Sequence, residues 1–202
     1  MSGKFITFEG VEGSGKTTQI ALLADYFKSL GHDVVLTKEP GGTKIGAKLR
    51  ALILDPETKL SAQNTEVLLF YADRLEHVET VIKPALAAGE IVLCDRYIDS
   101  TTAYQIGGRG VNPDIINTLN TLINLMPTQT ILLDISPTEG LTRAKSRGQL
   151  DRFEQEAIEF HERLRTQYLK TAAENPDRIT VISVSGKSIE AVFEDILKII
   201  SI

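Results

Sequence analysis

An α/β fold is expected of this chain: a five-stranded parallel sheet with helices on both faces. Three observations predict it. Short runs rich in β-branched and apolar residues recur five times along the sequence. Stretches with the apolar spacing of helices separate them. A glycine-rich loop stands between the first run and the first helical stretch, where a strand commonly feeds a helix through an anion-binding turn. At 202 residues, 42% hydrophobic and 24% charged, the chain suits one domain, 1–202, with a sizeable core.

The elements follow in order. "KFITFEG" reads as the first strand, and "KTTQIALLADYFKSLG" as a helix closed by Gly31. "DVVLT" is the second strand. "GAKLRALIL" and "SAQNTEVLLFYADRLEHVETVIKPALAAG" have helical periodicity, with Ser61 as the N-cap of the latter. Pro84 lies inside that stretch and either kinks or ends it. "EIVLCD", "TQTILLDIS" and "RITVISVS" supply strands three to five, and helices fit 112–125, 137–146, 153–174 and 188–200. A second glycine-rich patch, "GGRG", occupies 107–110.

A net charge of −5 argues against a general nucleic-acid binder, which carries a basic excess. The single cysteine, Cys94, excludes an intrachain disulfide, fits a reducing compartment, and reads as packed in a strand rather than reactive. The N-terminus lacks a charged segment followed by an apolar one, and no apolar run approaches the roughly 20 residues of a membrane span. The expectation is a cytoplasmic protein with neither a membrane nor a nucleic acid as partner. His32, His77 and His161 have no metal-like spacing and read as surface or helix-face residues.

In "FEGVEGSGKTTQ", residues 8–19, Gly10, Gly15, Lys16 and Thr17 satisfy G-x-x-x-x-G-K-[ST] between a predicted strand and a predicted helix. Glycines let successive backbone N–H groups face an anion, and the helix N-terminus adds partial positive charge. Lys16 reaches the outer phosphates of a nucleoside triphosphate, and the Thr17 hydroxyl suits magnesium. Gly10, Val11, Glu12, Gly13, Ser14, Gly15, Lys16, Thr17 and Thr18 therefore form the expected triphosphate site of a P-loop NTPase fold.

The same loop serves kinases, GTPases and motors. N-K-x-D, T-K-x-D and D-x-x-G, expected of a GTPase, are absent from the sequence. A kinase for a phosphorylated acceptor needs a second anion site and a basic lid. Arg50, Arg74 and Arg96 lie on separate predicted elements from which they can turn toward the loop. "RAKSRGQLDR", 143–152, places Arg143, Lys145, Arg147 and Arg152 around a glycine and fits either a lid or a solvated basic helix end.

Taken together, "FEGVEGSGKTTQ", "EPGGT", "FYADR", "DRYIDSTTAYQ" and "RGQLDRFE" resemble bacterial thymidylate kinases, in order and spacing, from residue 4 to about 170. The resemblance implies transfer of the ATP γ-phosphoryl group to dTMP, giving dTDP, with Mg2+ and as a homodimer. Phe70 resembles the aromatic stacked on thymine, with Arg74 bonding the base from the same helix face. Without the resemblance, the helix pattern favours Phe70 as ordinary core, and the motif reverses that reading. Asp95 resembles the carboxylate that organises magnesium through water, so Thr17 and Asp95 are the metal-site residues. Arg96, with Arg50, resembles the clamp on the acceptor phosphate, a task suited to bidentate guanidinium. The Asp95–Arg96 pair alone would also fit a surface ion pair.

Tyr104 matches the tyrosine that excludes a 2′-hydroxyl. Ser100, Thr101 and Gln105 fall where polar contacts to thymine are expected. Glu12 resembles the carboxylate that receives the 3′-hydroxyl, and Glu39 starts a turn near the acceptor. The phosphate loop holds no arginine, so the lid is expected to supply the catalytic charge, Arg147 first and then Arg143 and Arg152. The sequence departs from the family pattern at Lys38, where arginine is common, and at Ile106, where glycine is.

Overall fold

The computed structural model describes residues 3–146 and 150–200. Five strands, β1 (Lys4–Glu9), β2 (Val34–Lys38), β3 (Ile91–Asp95), β4 (Gln129–Asp134) and β5 (Ile179–Ser183), form one sheet in the order β2-β3-β1-β4-β5. Every pairing is parallel. The period-two alternation of a strand sorts the core into two layers. Phe5, Val92 and Cys94 enter one cluster with Tyr71, Tyr97 and Ile116. Ile6, Phe8 and Leu93 enter the other with Leu23, Phe27 and Leu164. Both faces of the central strands are thus buried, and Cys94 is packed as expected; burial pushes its thiol pKa up.

The helices are α1 (Lys16–Ser29), α2 (Lys44–Leu54), α3 (Gln63–His77), α4 (Lys83–Ala87), α5 (Ile98–Thr101), α6 (Pro113–Ile123), α7 (Pro137–Lys145), α8 (Ile158–Glu174) and α9 (Ile189–Ile199). Thr43, Asn112, Ser136 and Ser188 cap α2, α6, α7 and α9 through their side chains. Ser61 does not cap α3: the helix starts two residues later, with Ala62 at the N-cap and no side-chain bond. Pro84 does not end the long helix. One wide turn over Val78–Ile82 joins α3 to α4 and leaves the proline in the first turn of the next segment, where no N–H is needed.

Two further differences concern the site. The 153–174 helix begins only at Ile158, because Asp151 accepts from the backbone N–H groups of Phe153 and Glu154 and holds that stretch as a turn. Residues 98–108, not expected to be helical, form α5 and a wide helical turn over Thr102–Gly108 packed against α8.

Strands β1, β2 and β3 all end at one edge of the sheet. There Glu39 N–H donates to Asp95 O at 3.0 Å and Arg96 N–H to Phe8 O at 2.9 Å. The carboxyl ends of parallel strands are where such sheets place ligands. Among the described residues no helix is long and apolar enough to cross a membrane.

Candidate active site

The loop between β1 and α1 wraps the end of the sheet closely. An added Cβ at Gly13, whose φ is +70°, would lie 2.0 Å from Gly140 O of α7, so this position admits glycine alone. Lys16 folds back over the loop, donating to Gly10 O at 3.0 Å and Val11 O at 3.1 Å. Burial, with Arg96 nearby, pulls its ammonium down to about 8. The ammonium stays largely charged at neutral pH, and a bound polyanion would raise its pKa again. At its mouth the Thr17 hydroxyl donates to Asp95 Oδ2 at 3.1 Å, setting two hard oxygen donors side by side.

Across the cleft, the turn after β2 and the helix α3 form an ion-paired wall. Arg74 Nε donates to Glu39 Oε2 at 2.7 Å, and both side chains are nearly inaccessible, at 2% and 3%. Arg74 Nη2 donates to Tyr97 O at 2.9 Å, while Nη1 is buried with no partner among the described residues. His77 Nδ1 meets Glu39 Oε1 at 2.9 Å, and its Nε2 meets the Thr37 hydroxyl at 2.6 Å. Asp73 accepts from Gly41 N–H at 3.0 Å, and burial, with Glu39 beside it, raises its carboxyl to about 6. Arg50 Nη1 donates to Pro40 O at 2.8 Å.

After β3 the chain passes through Arg96, whose φ of +69° is unusual for a side chain of that size. Its guanidinium donates to Gly10 O (3.0 Å), Ser100 Oγ (3.2 Å), Tyr168 OH (3.1 Å) and Glu12 Oε1 (3.1 Å). The Tyr104 hydroxyl donates to the same Glu12 oxygen, and His161 Nδ1 lies 3.3 Å from the other. Burial works against a charge on Glu12. His161, Arg96, Lys16 and Tyr104 outweigh it and hold the carboxyl well below the ordinary carboxylate range.

One cleft of about 230 Å³ collects most of the expected residues. Glu12, Gly13, Gly15, Lys16, Thr17 and Thr18 line it from the loop, and Asp95 and Arg96 from the end of β3. Glu39, Arg50, Phe70, Arg74, Ser100, Thr101, Tyr104 and Gln105 line the opposite side. Gly10, Val11 and Ser14 act from behind by holding Lys16. Phe70 is half-buried, with its ring 6.1 Å from that of Phe153. Gln105 gives its Nε2 to Glu66 at 2.9 Å, and its Oε1 is buried without a partner among the described residues. Ser100, expected at a thymine, lines the cleft and also donates to Glu9 and accepts from Arg96.

The basic segment is brought to the cleft only in part. Arg143 Nη2 pairs with Glu139 at 2.6 Å, one turn earlier on α7 and exposed. Arg152 donates from Nε to Ile53 O at 2.8 Å and pairs with Glu66 at 2.7 Å, so its guanidinium anchors the turn to α2 and α3. Arg147 lies outside the described residues. His77 and His161, read as surface or helix-face residues, do lie on the helices α3 and α8, but the surface alternative is corrected: they are 0% and 1% exposed, because each bonds a carboxylate of the site. Sequence reasoning also passed over Glu9, Asp73, Phe153 and Tyr168. The three-residue step from Arg74 to His77 on α3 was a usable sign that His77 shares its face.

The comparisons agree with this geometry. A family model described as thymidylate kinase matches residues 8–196. The thymidylate kinase of Nostoc punctiforme is 49% identical, over 98% of this chain and 97% of its own. That of a Sulfurihydrogenibium species is 50% identical over 89% and 88%. The crystal structure of thymidylate kinase from Ehrlichia chaffeensis superposes with a TM-score of 0.80 at 36% identity, covering 98% of both chains.

Proposed function

We propose a division of labour for the cleft of this chain, which belongs to the thymidylate kinase family and phosphorylates dTMP to dTDP. The family takes its phosphoryl group from ATP. The loop N–H groups of residues 10–18 and Lys16 hold the triphosphate. Thr17 and Asp95 would hold Mg2+, directly or through water: a hydroxyl and a carboxylate 3.1 Å apart suit a hard cation. There it would supply positive charge against the charge that develops on the transferring phosphoryl group.

Phe70 lies against the thymine face. Arg74 Nη1 donates to a carbonyl of the base and Gln105 Oε1 accepts its imide N–H. The observation that carries this reading is that these two atoms, one donor and one acceptor, are buried without partners on residues lining the same cleft. Thr101 adds a polar contact to the base. Arg96 and Arg50 grip the acceptor phosphate, Glu12 receives the 3′-hydroxyl, and the Tyr104 ring fills the space of a 2′-hydroxyl. Glu39 acts by fixing Arg74.

A phosphate oxygen of dTMP attacks the γ-phosphorus as the bond to ADP breaks. The nucleophile is already anionic and the transition state loose, so alignment and positive charge do most of the work and no general base is required. Residues 143–152 are the lid, with Arg147 supplying charge at the transition state. Arg143 follows it in candidacy, and Arg152 would have to leave Glu66 to take part.

We also read the protein as a cytoplasmic homodimer. Ile45 and Leu52 on α2 and Leu68 on α3 are exposed apolar side chains on adjacent helices, a surface that a second copy would cover. A coupled ADP-release assay with dTMP, dUMP, dCMP, AMP and GMP tests the acceptor reading. dTMP is expected to give the highest turnover, and equal or better turnover of a purine nucleotide would overturn it.

A further inference from the structure

Glu9 ends β1 immediately before the phosphate loop, and its side chain is buried behind the cleft rather than in it. Its Oε1 accepts from Tyr97 N–H at 2.7 Å. Its Oε2 accepts from Ser100 Oγ at 2.5 Å and from Tyr168 OH at 3.2 Å. Those two hydroxyl oxygens lie 2.7 Å apart, and each accepts from Arg96 Nη1. A third acceptor of the same nitrogen is Gly10 O, on the residue next to Glu9.

One carboxylate therefore grips Arg96 twice. Through Tyr97 N–H it fixes the peptide that follows the left-handed residue 96, a conformation that persists only where its surroundings over-determine it. Through Ser100 and Tyr168 it sets proton direction. When both hydroxyls give their protons to Glu9, their lone pairs face Arg96 Nη1. When an amide or a protonated acid replaces the carboxylate, an added donor competes for those same oxygens.

We infer that Glu9 is a positioning residue for the acceptor phosphate: it aims the Arg96 guanidinium by ordering Ser100 and Tyr168 and by pinning the backbone beyond residue 96. This rests on the reading of Arg96 as the phosphate clamp. The charged groups felt by Glu9 come from several elements. Burial and Asp99 of α5 push its carboxyl up to about 7, against Ser100, Arg96 and Tyr97 N–H. Arg178 partly neutralises Asp99 across a 2.7 Å contact. Lys16 and Glu12 face it from the loop side, through their charge coupling to Glu9 and Arg96. The hydroxyls and Arg96 thus favour the ionised Glu9 that in turn orders them.

Thymidine shares every feature of dTMP except the phosphate, so it separates aiming of Arg96 from general disruption. Affinities for both are measured by titration on the parent, Glu9→Gln and Arg96→Lys. Glu9→Gln should weaken dTMP about tenfold, the scale of a misdirected charge-assisted bond, and leave thymidine within about twofold. Equal losses for the two ligands, or no loss for dTMP, would overturn the inference. If Arg96→Lys keeps the parent's preference for dTMP over thymidine, the clamp reading fails and this inference with it. A collapse of that preference in Arg96→Lys but not in Glu9→Gln overturns the positioning role alone. Should Glu9→Gln fail to fold, Tyr168→Phe carries the same test: a loss of about threefold confined to dTMP is expected, and its absence contradicts the role.

Discussion

The two sides of the cleft carry their cations differently. On the acceptor side Arg74 and Arg96 are tied to Glu39 and Glu12, and Arg74 is 2% exposed. On the donor side Arg143 is 42% exposed and leans on Glu139, a single helical turn away. The acceptor wall is therefore fixed before dTMP arrives, since removing one partner of a buried pair costs about 3–5 kcal/mol. An exposed i,i+4 pair contributes only about 0.3–0.5 kcal/mol, so donor-side charge can be rearranged at little cost to the fold. On the proposed roles, recognition by Arg74 is built into the core, and the lid charge of Arg143 is kept at the surface.

The sharpest way to break this contrast is through Lys16, which belongs to the donor loop but is buried among backbone carbonyls. Lys16→Ala should lower kcat by about a hundredfold or more, the effect of losing one electrostatic stabiliser of the transition state. Near-normal turnover with an unchanged melting temperature would remove Lys16 from the mechanism.

The basic segment comes next. Arg147→Ala should lower kcat at least about tenfold with little change in the dTMP KM, as expected for an interaction made only in the transition state. Arg152→Ala should instead destabilise the protein by about 1–2 kcal/mol, because Ile53 O loses its donor and Glu66 loses one cation while keeping Arg109 and Gln105. Thermal unfolding alongside steady-state kinetics separates them. A kcat loss for Arg152→Ala without a fall in melting temperature would reverse the two assignments.

A smaller effect is expected at the sugar. Tyr104→Ala should narrow the preference for dTMP over its ribose counterpart by severalfold, while Tyr104→Phe keeps the ring and loses the bond to Glu12. If the alanine variant discriminates as sharply as the parent, the ring is not the selector.

The smallest effect is on stability against pH. Asp73 titrates near 6 in the folded chain, above its ordinary value of 3.8, so between those values the native state binds more protons than the unfolded one. Stability from this group therefore rises as pH falls through that window. Asp73→Asn should flatten part of the rise in melting temperature between pH 7 and pH 5. An unchanged slope would show that Asp73 is not held protonated by burial and Glu39.

All five strands were legible as short β-branched runs, the pattern of parallel strands, although the edge strands β2 and β5 are only partly buried. The phosphate loop was legible because its glycines and lysine are dictated locally. The helix after β3 was not. "YIDSTTAYQIGG" has no apolar stripe, and its helical form depends on α8. There, a Cβ at Gly107 would come 2.6 Å from Gln167 Cβ, and one at Gly108 2.5 Å from Phe160 Cε2. The first two glycines of "GGRG" are needed for close packing, which only the tertiary structure explains, whereas Gly110 has open space and a φ of +69°. Ile106 keeps this helical path and packs into the core layer around Tyr97.

The site divides in the same way. Most residues carried by motifs reached the cleft, Arg143 and Arg152 excepted, whereas Glu9, His77, His161 and Tyr168 act through partners 38 to 159 positions away. Nothing in local sequence signals bonds across such separations. Buried histidine in particular looks like surface histidine until its carboxylate partner is placed.

The central claim, a prebuilt acceptor wall of Arg74 and Glu39 separate from the donor loop, is tested most directly by titrating dTMP and ATP into Arg74→Ala that has been verified as folded. Arg74 bonds Glu39 and Tyr97 and, among the described residues, makes no hydrogen bond or ion pair with the phosphate loop. The account predicts that dTMP affinity falls at least about tenfold, the scale of a lost hydrogen bond to a charged group, with ATP affinity within about twofold of the parent. Equal losses for the two nucleotides would contradict it.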